Sequence, residues 1–177
     1  MARSWQSRRP VSPAPTPCLR LRGGASRRKG YDGCMALVNS SGFAHVRLTV
    51  TDIARSKAFY DQVFGWPAAI DTSGDVDSPR ERGEPSNFYG GTIYQTPQGT
   101  LFGLRPVGSV QFDSEHTGLD HVSFAVDSYT ELESAATALS EAGIDHGEII
   151  RLHDAGPAIL SFQDPDDINI ELTSPLG

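Results

Sequence analysis

Phe43-Ala44-His45-Val46-Arg47-Leu48-Thr49-Val50 returns further along the chain as Leu119-Asp120-His121-Val122-Ser123-Phe124-Ala125-Val126. Each copy places a histidine near the start of an alternating, apolar-rich run, the period-two pattern of a half-buried strand. An amphipathic stretch follows each copy. A phrase repeated in this way marks one supersecondary unit used twice.

Working outward, the two copies predict the same order of elements. After the strand at 43–50, Asp52 stands as an N-cap before Ile53, Phe59, Tyr60, Val63 and Phe64, which are spaced for one helix face. Gly65-Trp66-Pro67 ends that helix. A short strand is predicted at 68–71, a mobile loop at 72–87, and strands at 88–95 and 100–105 with Thr96-Pro97-Gln98-Gly99 as the turn. In the second copy Ser128 and Glu131 form a capping-box pair. Leu132, Ala135, Ala136, Leu139 and Ala142 supply the apolar face, with Gly143 at the helix end. Strands at 147–152, 157–163 and 168–173 complete the unit, the last two joined by Asp164-Pro165-Asp166-Asp167. Each unit therefore reads βαβββ. A four-stranded sheet of this size does not bury its apolar face alone. The expected fold is α+β, with two βαβββ modules pairing to form a curved sheet around a central cleft. The expected partition is a leader at 1–40, module 1 at 41–106, a linker at 107–118 and module 2 at 119–177.

Composition narrows the function classes. The chain has 177 residues and a formal net charge of −7, but residues 1–34 hold eight Lys or Arg against one acid. The remainder has seven basic and twenty-one acidic residues, a formal charge of −14, so a nucleic-acid-binding surface on the folded part is not expected. No apolar run approaches the roughly 18–20 residues of a membrane span. The basic leader is open to three readings: a targeting peptide, a basic interaction tail, or an extension upstream of a start at Met35. Without a targeting role, cytoplasmic location is the default. Cys18 and Cys34 both lie upstream of the first strand, which argues against a disulfide framework and a cysteine zinc site.

With these pieces in order, the chain resembles the vicinal oxygen chelate superfamily of glyoxalase I, extradiol dioxygenases, fosfomycin-resistance transferases and bleomycin-resistance proteins. The resemblance rests on His45, on the Phe59-Tyr60 helix ending Phe64-Gly65-Trp66, on His121, and on Phe162-x-Asp164-Pro165-Asp166 leading to Glu171. It spans residues 43–175. It implies metal ligands on the first and last strand of each module, and three of the four places are filled, by His45, His121 and Glu171. Aligning Gln95-x-Pro97 with Gln163-x-Pro165 puts Gly103 opposite Glu171, so the fourth place has no donor side chain. That resembles the three-ligand pattern of extradiol dioxygenases and fosfomycin transferases more than the four-ligand pattern of glyoxalase I. The family's usual Gly-Asn after Asp-Pro-Asp is here Asp167-Ile168. Aspartate tolerates a left-handed turn, and Ile168 is expected to pack.

Two imidazoles and one carboxylate suit a divalent ion such as Fe, Mn, Zn or Ni and leave positions open for a substrate with adjacent oxygens. Period two puts Arg47, Ser123 and Thr173 on the same face as their neighbouring ligands, and Arg105 on that of Gly103. These four are the candidate substrate-binding residues. The arginines are candidates for holding an anionic oxygen, the alternative being an ion pair at the rim. His153 is a candidate acid or base, the alternative being a surface-loop histidine. His116 and His146 are expected at the surface. Phe88, Tyr89, Tyr94 and Phe102 either line a pocket or pack in the core. The expected activity is metal-dependent and acts on a small oxygen-rich organic substrate. Dioxygenase-like chemistry ranks ahead of glyoxalase or lyase chemistry, and thiol transfer third. The rival is a metal-free, bleomycin-resistance-type module that sequesters a cationic ligand. A homodimer is compatible with either, with each site shared between chains or built within one.

Overall fold

The computed structural model of the chain describes residues 37–38, 40–75, 85–153 and 156–175. The leader readings, Met35 and both cysteines lie outside these residues, as does most of the loop expected at 72–87. Residues 43–177 form one compact unit; residues 1–42 are not part of it and lie almost wholly outside the described residues. No helix among the described residues is long and apolar enough to cross a membrane.

The first module runs β1 (His45–Thr49), α1 (Ile53–Phe64), β2 (Ala68–Asp71), β3 (Thr92–Gln95) and β4 (Leu101–Arg105). The second runs β5 (His121–Ala125), α2 (Tyr129–Glu141), β6 (Ile150–Arg151), β7 (Ala158–Gln163) and β8 (Asn169–Ser174). Each builds a four-stranded mixed sheet, in the orders β1-β4-β3-β2 and β5-β8-β7-β6. The fold is α+β with two paired βαβββ modules, and the sheets do not close on one another.

Local chemistry sets the helix bounds. The Asp52 carboxylate accepts from Arg55 N–H at 3.0 Å, satisfying a donor the first turn leaves free. Gly65 ends α1 with φ 61°, a left-handed residue that costs glycine little. In α2, Ser128 accepts from Glu131 N–H at 3.2 Å, and the Glu131 carboxylate reaches back to Asp127 N–H at 2.7 Å.

Two expected strands are shorter than their sequence suggests. The strand expected at 88–95 begins only at Thr92, because Phe88 and Tyr89 take left-handed backbone, φ 51° and 58°, in a 3-10 turn over Pro85–Gly90. The strand expected at 147–152 contracts to Ile150–Arg151, with an isolated bridge between His146 and Phe162. Asp145, Gly147 and Glu148 are poor strand formers, and this edge has no second neighbour to enforce pairing.

One core serves both modules. Leu48, Tyr60, Phe102 and Leu104 join Leu132, Leu160, Ile170 and Leu172 in a single buried cluster. Helix α1 bridges the sheets through its aromatic rings. Tyr60 lies 4.9 Å from Phe102 of the first sheet, and Phe64 lies 4.9 Å from Phe124 of the second. Such pairs add about 0.5–1.5 kcal/mol each beyond the area they bury.

The Asp164-Pro165-Asp166-Asp167 turn is a second bridge. Asp164 is buried and accepts from the N–H groups of Asp166 and Ile168 and from the Tyr60 hydroxyl at 3.0 Å. Asp166, also buried, accepts from Thr51 N–H at 2.9 Å, from the Thr51 hydroxyl, and from the Arg55 guanidinium at 2.7 Å. A turn of module 2 thereby holds the entry to α1 of module 1. Asp167 adopts φ 62° and Ile168 is buried, as their positions in the turn suggested.

Candidate functional site

Strand alternation sends Leu48, Phe102, Phe124 and Leu172 into the shared core and turns the candidate residues to the opposite faces of the two sheets. On the second sheet, β5 runs parallel to β8 with Ser123 opposite Glu171 and Ala125 opposite Thr173. His121 and Ser123 are exposed there, and Glu171 and Thr173 half-buried. On the first sheet, β1 runs parallel to β4 with Arg47 opposite Gly103 and Thr49 opposite Arg105. The two registers superpose: Gly103 holds the place of Glu171, Arg47 that of Ser123, and Arg105 that of Thr173.

The face of module 2 carries a hydrogen-bonded string. The Ser123 and Thr173 hydroxyls are 2.5 Å apart, and the Thr173 hydroxyl donates to Glu171 Oε1 at 3.0 Å. His121 Nδ1 lies 2.8 Å from the Asp120 carboxylate. In the neutral imidazole, a proton on Nδ1 facing that carboxylate leaves Nε2 free to accept. A carboxylate behind the imidazole is the arrangement that orients and strengthens a metal-binding histidine. No cation pairs with Glu171 among the described residues. One imidazole nitrogen and one carboxylate oxygen on this face are donors of the type a divalent ion such as Fe, Mn, Zn or Ni takes, one short of a three-donor set. An open depression of about 720 Å³ adjoins it, lined by Ser123, Ala125, Pro157 and Thr173. Asp120 was not singled out in the sequence; its place directly before His121 is the only signal there.

The face of module 1 is built differently. His45 is exposed at the start of β1. The guanidinium carbons of Arg47 and Arg105 sit 5.4 and 4.4 Å from the centre of the Tyr89 ring, in cation–π range. One Arg47 Nη donates to the Phe88 carbonyl. Neither arginine has a carboxylate partner among the described residues. Both Nε atoms are buried with no hydrogen-bond partner, at a cost of about 1–3 kcal/mol apiece. Burial, and then the nearby Arg105 charge, lower the Arg47 pKa from its usual value.

Gly103 is the reason Arg47 fits. A β-carbon there would lie 2.7 Å from Ile93 Cδ1 and 3.1 Å from Arg47 Cγ. The position that would carry a fourth ligand is filled instead by neighbouring side chains. Gly103→Ala is expected to destabilise the protein by about 1–3 kcal/mol through overpacking. A urea titration reads this directly, and an unchanged midpoint would show that the site relaxes freely.

Within one chain the structure does not gather the three predicted ligands. Among the described residues no three His, Cys, Asp or Glu side chains stand close enough to hold one ion. His121 and Glu171 share the face of the second sheet, while His45 lies on the first. His153 is exposed on the turn between β6 and β7, and no described side-chain hydrogen bond ties it to the others. His116 is exposed, whereas His146, expected at the surface, is half-buried, its Nε2 2.8 Å from the Ser140 hydroxyl and its Nδ1 2.7 Å from the Gly147 carbonyl. Of the aromatics, Tyr94 and Phe102 are core residues, and Tyr89 belongs to the site.

Comparison with known proteins agrees with this architecture. No curated protein matches the chain. Among solved structures, a glyoxylase/bleomycin resistance protein/dioxygenase domain from Frankia sp. EAN1pec is 29% identical, with a TM-score of 0.62 over 77% of this chain and 93% of that one. The fosfomycin resistance protein FosX from Listeria monocytogenes, in a mutant complex with Mn(II) and 1S,2S-dihydroxypropylphosphonic acid, is 19% identical. Its TM-score is 0.60 over 77% of this chain and 94% of that one. Lactoylglutathione lyase from Agrobacterium tumefaciens is 17% identical, with a TM-score of 0.55 over 76% and 94%. At these last two identities the likeness is one of fold. Residues 42–172 match the model of the Glyoxalase/Bleomycin resistance protein/Dioxygenase superfamily, and the chain belongs to that superfamily.

Proposed function

We propose that the protein is a divalent-metal-dependent enzyme acting on a small oxygen-rich organic molecule. In this reading His45 of one copy and His121 and Glu171 of a second copy form the metal site of a homodimer. The observation that carries the reading is the outward face of module 2. There His121, backed by Asp120, stands beside a carboxylate with no described cation. Its missing third donor matches the unaccompanied His45 on the outward face of module 1. Mn(II) in the FosX relative supports a divalent ion in this fold.

The ion, when bound, supplies Lewis acidity toward two adjacent substrate oxygens and, for Fe or Mn, oxidative chemistry. The protein's own groups do the rest. Asp120 fixes the tautomer and orientation of His121. Thr173 donates to Glu171 and accepts from Ser123, so the string holds the carboxylate in place and leaves the Ser123 oxygen as an acceptor facing the depression. Arg47 and Arg105 face a developing negative charge from the first sheet. His153 is at most a mobile proton carrier from its exposed turn. The reaction is dioxygenase-like or glyoxalase/lyase-like, with metal identity deciding between them.

The test is elemental analysis of untagged protein beside His121→Ala. About one Fe, Mn, Zn or Ni per chain, absent in the variant, is the expected result. A metal-free wild type of unchanged fold would instead favour a ligand-sequestering module of the bleomycin-resistance kind.

A further inference from the structure

We propose that Arg47, Tyr89 and Arg105 form an oxyanion-binding cradle on the outer face of the first sheet, which takes a carboxylate or phosphoryl-type group. Its place as a substrate subsite rests on the metal-site reading above; its capacity to hold an anion does not. The cradle fixes what that reading leaves open, the charge of the substrate.

Two guanidiniums lie against one phenol ring, at 5.4 and 4.4 Å from its centre, with no described carboxylate to neutralise either. Each keeps a buried Nε–H with nothing to donate to. Buried donors without acceptors are rare, and they ask for a partner. One Nη of Arg47 is anchored to the Phe88 carbonyl, which holds the fork in place rather than leaving it to sweep through solvent. A guanidinium so held is suited to paired oxygens.

Space has been cleared for it. A β-carbon at Gly91 would lie 2.1 Å from the Leu104 carbonyl and 2.8 Å from Arg47 Nη2, and one at Gly103 would lie 2.7 Å from Ile93 Cδ1 and press on the Arg47 stem at 3.1 Å. Tyr89 reaches its position only because it and Phe88 both adopt left-handed backbone. Two bulky residues in that region are uncommon and costly, and such strain gathers at functional sites. Nor is the pair repeated in the second module. The corresponding residues of module 2, Ser123 and Thr173, satisfy one another. Burial together with the Arg105 charge makes the protonated form of Arg47 harder to sustain, and a bound anion relieves both.

The test is calorimetric titration of the full chain, freed of metal by chelator and at low ionic strength, with inorganic phosphate and separately with malonate. Saturable binding near one per chain is expected, weakened about tenfold or more by Arg105→Gln and by added salt. Arg47→Lys keeps the stem and the charge but loses the fork, and it should weaken binding even if Arg105→Gln folds poorly. Tighter binding of phosphate assigns a phosphoryl-type group, and tighter binding of malonate a carboxylate. No saturable binding of either, or binding unaffected by both variants, overturns the proposal. Because the protein is metal-free throughout, an empty cradle is distinguishable from an absent metal site, which elemental analysis reads separately.

Discussion

Protein carrying His45→Ala and protein carrying Glu171→Ala are each expected to purify without metal, and a reassociated mixture of the two to regain it at roughly a quarter of the sites. The reason is geometric. His45 lies on one outward sheet face and the His121–Glu171 pair on the other, so a site made by two copies draws its donors from different chains. A mixed dimer then has one site with all its donors and one lacking both. Random pairing makes about half the dimers mixed. Each single variant should lose more than the 10- to 100-fold in metal affinity that removing an outer-sphere partner typically costs. Glu171→Ala removes the only anionic donor as well as a ligand. Metal analysis after reassociation checks it. A mixture that stays empty while the wild type is loaded would place all donors within one chain.

Asp166→Ala is expected to lower the stability of the fold by about 3 kcal/mol, with the melting temperature falling by roughly 10 °C. The carboxylate is buried and serves three donors, two from Thr51 and one from Arg55. Truncation leaves the Thr51 N–H without its acceptor at the entry to α1. Arg55 is half-exposed and contributes little, because water takes over its charge. Arg55→Ala should therefore cost well under 1 kcal/mol, and a double-mutant cycle should assign most of the coupling to Thr51. Equal losses for Arg55→Ala and Asp166→Ala would refute that division.

The neighbouring Asp164 gives this region a pH signature. Burial raises its pKa above the ordinary aspartate range, although three hydrogen bonds oppose the shift. A carboxyl whose folded pKa is raised contributes stability that is fully present below the unfolded pKa and is lost as the pH rises through the folded one. Asp164→Asn retains acceptors for Asp166 and Ile168 N–H and does not titrate. It should flatten that decline, and denaturation across the acidic range compares the two slopes.

The paired modules were legible because a histidine and an alternating apolar phrase recur with the same phase, and phase survives even where strand ends do not. The repeat also placed Gly103 against Glu171, and the strand registers agree. Other features were hidden for physical reasons. Phe88 and Tyr89 look like strand residues, since aromatic runs favour strands and nothing in their composition announces left-handed backbone without glycine. Asp164 and Asp166 read as turn residues, which they are. Their partners Tyr60, Thr51 and Arg55 lie in the other module, and no local pattern reports so distant a contact. Whether the three candidate ligands meet within one chain was left open by the sequence, because local patterns do not report which way a sheet face points. The packing of α1 against both sheets turns the faces that carry them outward.

The asymmetry between Arg47, Gly103 and Arg105 on one face and Ser123, Glu171 and Thr173 on the other gives the two outward faces opposite charge character. Two like faces of module 1 brought together would crowd four guanidiniums with no counter-charge, and two of module 2 would confront carboxylates. Opposite faces attract. A duplicated fold that had kept its halves identical would present two faces of one charge character; divergence at three strand positions is enough to make them electrostatically complementary.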